Sequence, residues 1–212
     1  MQLSQFLAGQ LGNPSRLFGG LAGSVWNRRN AALNDTVLEL LALQPADRVL
    51  DVGFGGGYLL DRMSRVVDDG WLAGVDISPA IVAAAQKRYR AKVNAGMLGL
   101  ACAAADALPF PDEHFTKVCS VNSIFYWHDV EQGLREIARV LVKGGHLVLC
   151  FTSMASLEQK GFARHIDLVE PTTLDEIMRA IGLRDIRTST FADRHRTYIC
   201  MIARHGSLER TP

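Results

Sequence analysis

Three glycines at alternate positions follow an aspartate in the run Asp51-Val52-Gly53-Phe54-Gly55-Gly56-Gly57. Because glycine has no Cβ, such a run allows a tight turn and lets a ligand approach the backbone closely. The run follows a short apolar segment and precedes a helical pattern, so the positive end of that helix would point at the ligand. We therefore interpret it as a binding turn rather than a purely structural one. The dinucleotide fingerprint G-x-G-x-x-G does not fit, since its third glycine would fall on Tyr58.

Two further carboxylates follow predicted strands. Asp76 lies about 20 residues beyond the glycines, where a carboxylate can accept hydrogen bonds from ribose hydroxyls, and Ile77 beside it could pack on a base. A lone aspartate after a strand is commonly a helix cap, but Ser78 already offers that function. Asp106, in the run Ala105-Asp106-Ala107-Leu108-Pro109-Phe110, could accept from an exocyclic amine. Its alternative interpretation is a solvated loop residue.

Aromatic and titratable side chains follow the fourth predicted strand, in the run Asn122-Ser123-Ile124-Phe125-Tyr126-Trp127-His128-Asp129. Tyr126 and Trp127 could form the wall of a substrate pocket, and His128 or Tyr126 could accept or relay a proton. We take His128 and Tyr126 as the candidate catalytic residues. The alternative is that Phe125 and Trp127 pack in the core while His128 is exposed, and only geometry can decide between the two.

Apolar runs alternate with amphipathic helical patterns along the chain. This alternation predicts an α/β fold with a doubly wound parallel sheet, whose ligands bind outside the carboxyl ends of the strands. The last two strands are joined by a connection too short for a helical crossover, which predicts an antiparallel pair. The predicted strands are 48–52, 71–75, 98–103, 117–121, 146–152, 186–191 and 197–203. The predicted helices include 28–43, 58–67, 79–93, 131–142 and 173–181; Lys87 and Arg88 are expected on a solvated helix face.

Composition limits the classes of protein to which the chain can belong. Its 212 residues are 48% hydrophobic and carry a formal net charge of +1, which suits one compact domain and argues against a strongly basic nucleic-acid binder. No apolar segment reaches the ~20 residues of a membrane span, and no signal peptide is expected, so we predict a cytoplasmic protein without stable membrane association. No metal site is expected. The four cysteines are far apart in sequence and are predicted to be reduced and buried: Cys102, Cys119, Cys150 and Cys200.

The first 30 residues are expected to form lid helices over the substrate pocket, ahead of a main domain at 31–212. Apolar residues recur at helical spacing from Leu3 to Leu11. A helix on a membrane surface normally carries Lys or Arg on its polar face, yet none precedes Arg16. We therefore favour a lid, and a short one, which predicts a small or narrow substrate rather than a macromolecule.

Together these motifs resemble the class I S-adenosylmethionine-dependent methyltransferases, in particular the type 11-like subgroup that acts on small molecules. The resemblance runs from about residue 27 to 152 and includes the run Arg139-Val140-Leu141-Val142-Lys143-Gly144-Gly145. It implies a Rossmann-like seven-stranded sheet of order 3-2-1-4-5-7-6 with the last strand antiparallel. Two positions depart from the family pattern, Thr116 in place of Asp and Val142-Lys143 in place of Lys-Pro, and both are structural in the family.

The resemblance also implies roles for individual residues. The glycine turn would hold the methionyl end of S-adenosylmethionine, with Asp51 near its amino group. Asp76 would hold both ribose hydroxyls, while Ile77 packs on adenine and Asp106 meets the adenine amine. The full set of implied cofactor contacts is Asp51, Gly53, Gly55, Gly57, Asp76, Ile77, Asp106, Ala107 and Asn122.

The implied reaction is transfer of a methyl group from a sulfonium by in-line displacement. The main task of such an enzyme is to hold nucleophile, methyl and sulfur collinear and dry. A neutral amine needs no base, whereas a phenol or alcohol benefits from one, so N, O, C and S acceptors all stay open. Two alternatives are a non-catalytic methyltransferase-like protein that binds the cofactor or a partner and, less well supported, an NAD-dependent oxidoreductase. We expect a monomer or a homodimer.

Overall fold

Seven strands form one sheet in the order β3-β2-β1-β4-β5-β7-β6. The computed structural model describes residues 30–159 and 169–206. The strands are β1 (Arg48–Val52), β2 (Trp71–Asp76), β3 (Leu98–Cys102), β4 (Phe115–Val121), β5 (Leu141–Thr152), β6 (Leu183–Ala192) and β7 (Thr197–His205). The first five pair in parallel, whereas β7 is antiparallel to both β5 and β6. The order and the antiparallel last strand confirm the predicted fold.

Helices cover both faces of the sheet. They are α1 (Ala31–Leu41), α2 (Tyr58–Met63), α3 (Pro79–Arg88), α4 (Arg90–Asn94), α5 (Val130–Val140), α6 (Met154–Gln159) and α7 (Pro171–Ala180), with a 3-10 turn at Ile124–Tyr126. Buried side chains of α1, α2 and α3 belong to one apolar cluster, and those of α5 and α7 belong to another. The sheet therefore lies between two helical layers, as a doubly wound fold requires.

The chain leaves β1 for β2 and β3 on one side and returns to place β4 on the other side. Strands β1 and β4 are consequently neighbours whose following segments diverge. In open parallel sheets a crevice forms at this point, outside the carboxyl ends of the strands. The glycine turn follows β1 and the aromatic run follows β4, so the topology brings both to the same crevice.

Some boundaries differ from the predicted ones. The helix predicted at 131–142 ends at Val140, and Leu141 begins β5. Leu141 is fully buried and pairs with Phe115 of β4, so sheet packing decides the conformation of an apolar stretch that suits either structure. The helix predicted at 79–93 is divided at Tyr89 into α3 and α4, and α6 was not predicted.

Two other predictions concern the burial of the cysteines and the lid at the start of the chain. Cys119, Cys150 and Cys200 are buried as predicted, but Cys102 is exposed because it ends β3, an edge strand of the sheet. The predicted lid at residues 1–30 lies outside the described residues except for Asn30. Within the described ranges, no helix has the length and apolar character needed to cross a membrane.

Candidate functional site

The glycine turn after β1 is built from left-handed backbone. Gly53, Gly55 and Gly57 have φ angles of 78°, 50° and 74°. Two neighbours also exclude a side chain here. A Cβ atom at Gly53 would lie 2.3 Å from Cβ of Ser123, and one at Gly57 would lie 2.6 Å from the hydroxyl of Tyr89. Glycine is therefore required both by conformation and by close packing.

The turn is fastened to the carboxyl end of β2. The backbone N–H of Gly53 donates to the carbonyl of Val75 at 2.8 Å. The Asp76 carboxylate accepts from the N–H of Gly55 at 3.0 Å and from the N–H of Ser78 at 2.9 Å. Burial raises the pKa of Asp76, and these two hydrogen bonds oppose that rise. Asp76 is thus held in one orientation beside the turn, and each of its oxygens keeps a lone pair for a further donor.

Ser78, and not Asp76, caps the helix that follows. Its hydroxyl accepts from the N–H of Ile81, and Pro79 occupies the first turn of α3. This matches the expectation that Ser78 takes the capping function and leaves Asp76 available to a ligand.

Asp51, two residues before the turn, carries a buried carboxyl. Its exposed fraction is 2%, and no donor among the described residues forms a hydrogen bond with it. Burial, and then the negative charge of Asp76, raise the pKa of Asp51 to about 8. A cationic ligand group would give this buried carboxyl a partner and favour its ionised form.

The far end of the crevice carries the residues expected around a base. Ile77 follows Asp76 directly and is 51% exposed, which is unusual for a large apolar side chain in this protein. The thiol of Cys102 lies 3.6 Å from the Ile77 carbonyl. The side chain of Asp106 is 22% exposed and lies 4.0 Å from Nδ1 of His128. Ala107, next to Asp106, is exposed.

Asn122 joins three elements at the end of β4. It has a left-handed φ of 54°, which is uncommon outside glycine and often marks a functional or strained position. Its side-chain carbonyl accepts from the backbone N–H of Thr152 at 2.8 Å, and its amide donates to Asn30 at 3.1 Å. Because both ends of the side chain are engaged with the protein, its cofactor contact stays a prediction.

The aromatic run after β4 divides into residues with different surroundings. Tyr126 is 37% exposed, and burial raises the pKa of its phenol. The indole N–H of Trp127 donates to the hydroxyl of Ser123 at 3.0 Å, and its ring lies against Gly133 of α5. The side chain of His128 is 94% exposed. These contacts favour core packing for Trp127, and the acceptor-pocket and catalytic roles of all three residues stay predictions.

Ser123 is a central residue that sequence reasoning missed. Its hydroxyl donates to the carbonyl of Val52 at 2.9 Å and lies within hydrogen-bond distance of the Ser120 hydroxyl. It therefore connects the end of β1 with the end of β4. The only sequence signal was its place directly after Asn122, which does not indicate a partner 71 residues away.

Comparison with known proteins identifies the family. The family model for the methyltransferase domain (type 11) matches residues 50–149 of the sequence. The uncharacterized methyltransferase YdaC of Bacillus subtilis is 32% identical over 125 residues, which cover 59% of this chain and 67% of that protein. The chain belongs to the class I S-adenosylmethionine-dependent methyltransferases. As a methyltransferase of this class it uses S-adenosylmethionine as its methyl donor.

Other similar proteins show the range of the family. The ubiquinone/menaquinone biosynthesis C-methyltransferase of Shewanella sediminis is 31% identical over 113 residues, which cover 53% of this methyltransferase and 45% of that protein. The matched region is thus about half of that relative's length. A methyltransferase of Haloferax volcanii, solved in complex with the Trm112 methyltransferase activator, superposes with a TM-score of 0.77 at 20% identity and covers 91% of this chain and 97% of its own. That likeness shows the shared fold.

Proposed function

We propose that this methyltransferase transfers a methyl group from S-adenosylmethionine to a small-molecule acceptor at the crevice between β1 and β4. The observation that carries the proposal is the buried carboxyl of Asp51, which no described protein donor satisfies and which lies beside the oriented carboxylate of Asp76. Two carboxylates at one glycine turn suit a ligand that has a cationic group at one end and hydroxyls further along.

The residues at the turn fit this cofactor in a definite order. Backbone groups of Gly53, Gly55 and Gly57 would hold its methionyl end, with Asp51 accepting from the ammonium group. Asp76 would accept from the two ribose hydroxyls with the lone pairs that Gly55 and Ser78 leave open. Ile77 would pack on adenine, and Asp106 and Ala107 would meet the adenine amine. When bound, the cofactor supplies a methyl group activated by a positively charged sulfur.

The acceptor would lie next to the segment that follows β4. Tyr126 is more exposed than Phe125 and Trp127 and would form part of the pocket wall together with Trp127. His128, whose Nδ1 lies 4.0 Å from the Asp106 carboxylate, would accept a proton from an acceptor that must lose one. The Shewanella relative is named for the biosynthesis of quinones, which supports an organic small molecule as the acceptor class.

We also propose that residues 1–30 cover the acceptor. The support is the hydrogen bond between Asn30 and Asn122, which brings the first described residue to the carboxyl end of β4. Deleting residues 1–20 should leave affinity for S-adenosylhomocysteine within about threefold and abolish turnover, because the proposed cofactor contacts lie later in the chain. Full turnover after the deletion would exclude the lid.

Calorimetric titration and turnover test the proposal together. The full chain should bind S-adenosylmethionine and S-adenosylhomocysteine but not NAD, whereas binding of NAD alone would support the oxidoreductase alternative. A panel of phenols, amines, thiols and activated carbon acids should then include at least one methylated product, identified by its added mass. Cofactor binding without turnover on any class of acceptor would favour the non-catalytic alternative.

A further inference from the structure

Helix α3 contacts the cofactor site with both of its ends. At its start, the N–H of Ser78 donates to the Asp76 carboxylate. At its other end, the hydroxyl of Tyr89 donates to the carbonyl of Gly57 at 2.9 Å, and the guanidinium of Arg88 donates to the carbonyl of Gly56 at 3.1 Å. Both contacts join residues 32 positions apart in the chain.

Tyr89 reaches the joint between the glycine turn and α2. The Gly57 carbonyl also accepts from the N–H of Asp61 at 3.0 Å, the first hydrogen bond of that helix. A carbonyl oxygen has two lone pairs, so the Tyr89 hydroxyl takes the second one. Tyr89 is 6% exposed, and the hydroxyl is therefore fixed by the packing of its ring.

Arg88 adds a second clamp from the helix surface. Its guanidinium forms an ion pair with Asp61 of α2 and lies over the ring of Tyr89, 5.0 Å from the ring centre. The sequence pattern placed Arg88 on a solvated face. It is exposed, but its head group bridges the turn, α2 and Tyr89.

A turn of three left-handed glycines needs such external contacts. Glycine loses more conformational freedom on ordering than any other residue, and a ligand that had to order the turn on binding would lose affinity accordingly. Hydrogen bonds to the two carbonyls orient the adjoining peptide groups before the cofactor arrives.

We propose that Tyr89 and Arg88 are positioning residues that preorganise the glycine turn for S-adenosylmethionine. The inference rests on the proposed function, since it assumes that the turn holds the cofactor. Neither side chain needs to touch the cofactor, because each acts through a glycine carbonyl. Their removal should therefore weaken cofactor binding more than it weakens the fold.

The first test removes only the Tyr89 hydroxyl. Tyr89→Phe should raise the Kd for S-adenosylhomocysteine about three- to tenfold in calorimetry, in line with the net worth of one hydrogen bond. Tyr198→Phe is the matched control, because Tyr198 is 4% exposed and its hydroxyl is 2.9 Å from that of Thr36, away from the turn. The control should lose similar thermal stability and keep its Kd within twofold.

The second test separates positioning from general stability. Gly57→Ala should weaken binding strongly, because its Cβ would lie 2.6 Å from the Tyr89 hydroxyl. If the Tyr89 hydroxyl acts through Gly57, adding Tyr89→Phe to a turn that Gly57→Ala has already distorted should raise the Kd by less than it does in the wild-type background. A loss in the double variant equal to the product of the two single losses would overturn the proposal, as would an unchanged Kd for Tyr89→Phe in a wild-type background that binds S-adenosylhomocysteine.

The role of Arg88 is tested by substitution, with the adjacent Lys87 as the control. Arg88→Met keeps the aliphatic stem and should raise the Kd about two- to fivefold, whereas Lys87→Met, on the exposed surface of the same helix, should leave it unchanged. Equal effects of the two substitutions would overturn the role of Arg88 and indicate a general charge effect. If the wild-type chain binds no S-adenosylhomocysteine, the proposed function itself fails, and that result is distinct from the variant outcomes.

Discussion

Burial and the neighbouring charge of Asp76 together raise the pKa of Asp51 to about 8. Asp51 is the penultimate residue of β1, and Asp76 is the last residue of the adjacent parallel strand β2. In the ligand-free protein near neutral pH, the Asp51 carboxyl is therefore mostly protonated. In the unfolded chain it has an ordinary pKa near 3.8 and is ionised.

This difference predicts how stability depends on pH. Between about pH 4 and pH 8 the folded state holds one more proton at Asp51 than the unfolded state. The contribution of Asp51 to the free energy of unfolding is therefore complete below the unfolded pKa of 3.8. This contribution decreases by at most ~1.4 kcal/mol per pH unit and is lost as the pH rises through about 8. Asp51→Asn should flatten this slope in urea unfolding at pH 6, 7 and 8, and it should also weaken cofactor binding. Identical slopes in the two proteins would contradict the assignment.

Asp76 should be essential for cofactor affinity and dispensable for folding. Asp76→Ala removes the expected partner of two ribose hydroxyls, a loss on the order of 1.5–3 kcal/mol for bonds to a charged group. We expect a Kd for S-adenosylhomocysteine that is roughly 10- to 100-fold higher by calorimetry. Asp68→Ala, at an exposed position before β2, is the control. Unchanged affinity in the Asp76 variant would reduce Asp76 to a residue that only orders the turn.

Two substitutions at Asn122 should distinguish the cost of its left-handed backbone from the cost of losing its side-chain hydrogen bonds. Asn122→Ala loses the hydrogen bonds to Thr152 and Asn30 and keeps a residue with a Cβ atom in the left-handed conformation. Asn122→Gly loses the same bonds, but glycine adopts a φ of 54° without strain. The glycine variant should therefore be more stable than the alanine variant by about 1–2 kcal/mol in urea unfolding. Equal stability would show that the backbone relaxes at this position.

Single substitutions in the aromatic run should affect different properties, thermal stability at Trp127 and turnover at Tyr126. Trp127→Ala removes a ring packed on Gly133 and the bond to Ser123, so its thermal unfolding temperature should fall by several degrees. Tyr126→Ala should keep that temperature and lower turnover at least tenfold, because small misalignments are costly in an in-line reaction. The opposite pattern would move the acceptor wall from Tyr126 to Trp127.

His128→Ala is informative through its pH profile. If the acceptor must lose a proton, the loss of turnover should be largest at low pH, where little acceptor anion forms unaided. If the acceptor is an amine that attacks in its neutral form, the variant and the wild type should share one profile, since no base is then required. Turnover measured from pH 6 to 9 with the same acceptor decides between the two, with Tm measured alongside as a control for folding.

Much of the fold followed from local patterns. Apolar runs of strand length and helical stripes mark each layer, and the short link at 193–196 indicates that β6 and β7 pair antiparallel. The end of α5 was predicted two residues late, because Leu141 and Val142 suit a helix as well as a strand and only pairing with β4 decides. The glycine spacing, Asp76 and Ser78 were likewise readable because each lies at the junction between a strand and the helix that follows it.

The parts that could not be predicted depend on contacts between distant residues. No local pattern indicates that the Tyr89 hydroxyl reaches Gly57, or that Ser123 contacts Val52. The left-handed backbone of Asn122 is invisible in a sequence, since asparagine adopts many conformations. Exposure of Cys102 depends on β3 forming the edge of the sheet, which is a property of strand order.

That edge position makes the native chain suitable for fluorescence measurements without engineering. Cys102 is exposed, whereas Cys119, Cys150 and Cys200 are buried. Burial also raises the pKa of the Cys119 thiol. An accessible thiolate is the nucleophile that attacks a thiol-reactive dye, so labelling of the folded protein should be selective for one site. Because that thiol lies 3.6 Å from the carbonyl of Ile77, an environment-sensitive dye there would change its emission when a ligand covers Ile77, and one labelled sample could report binding in real time.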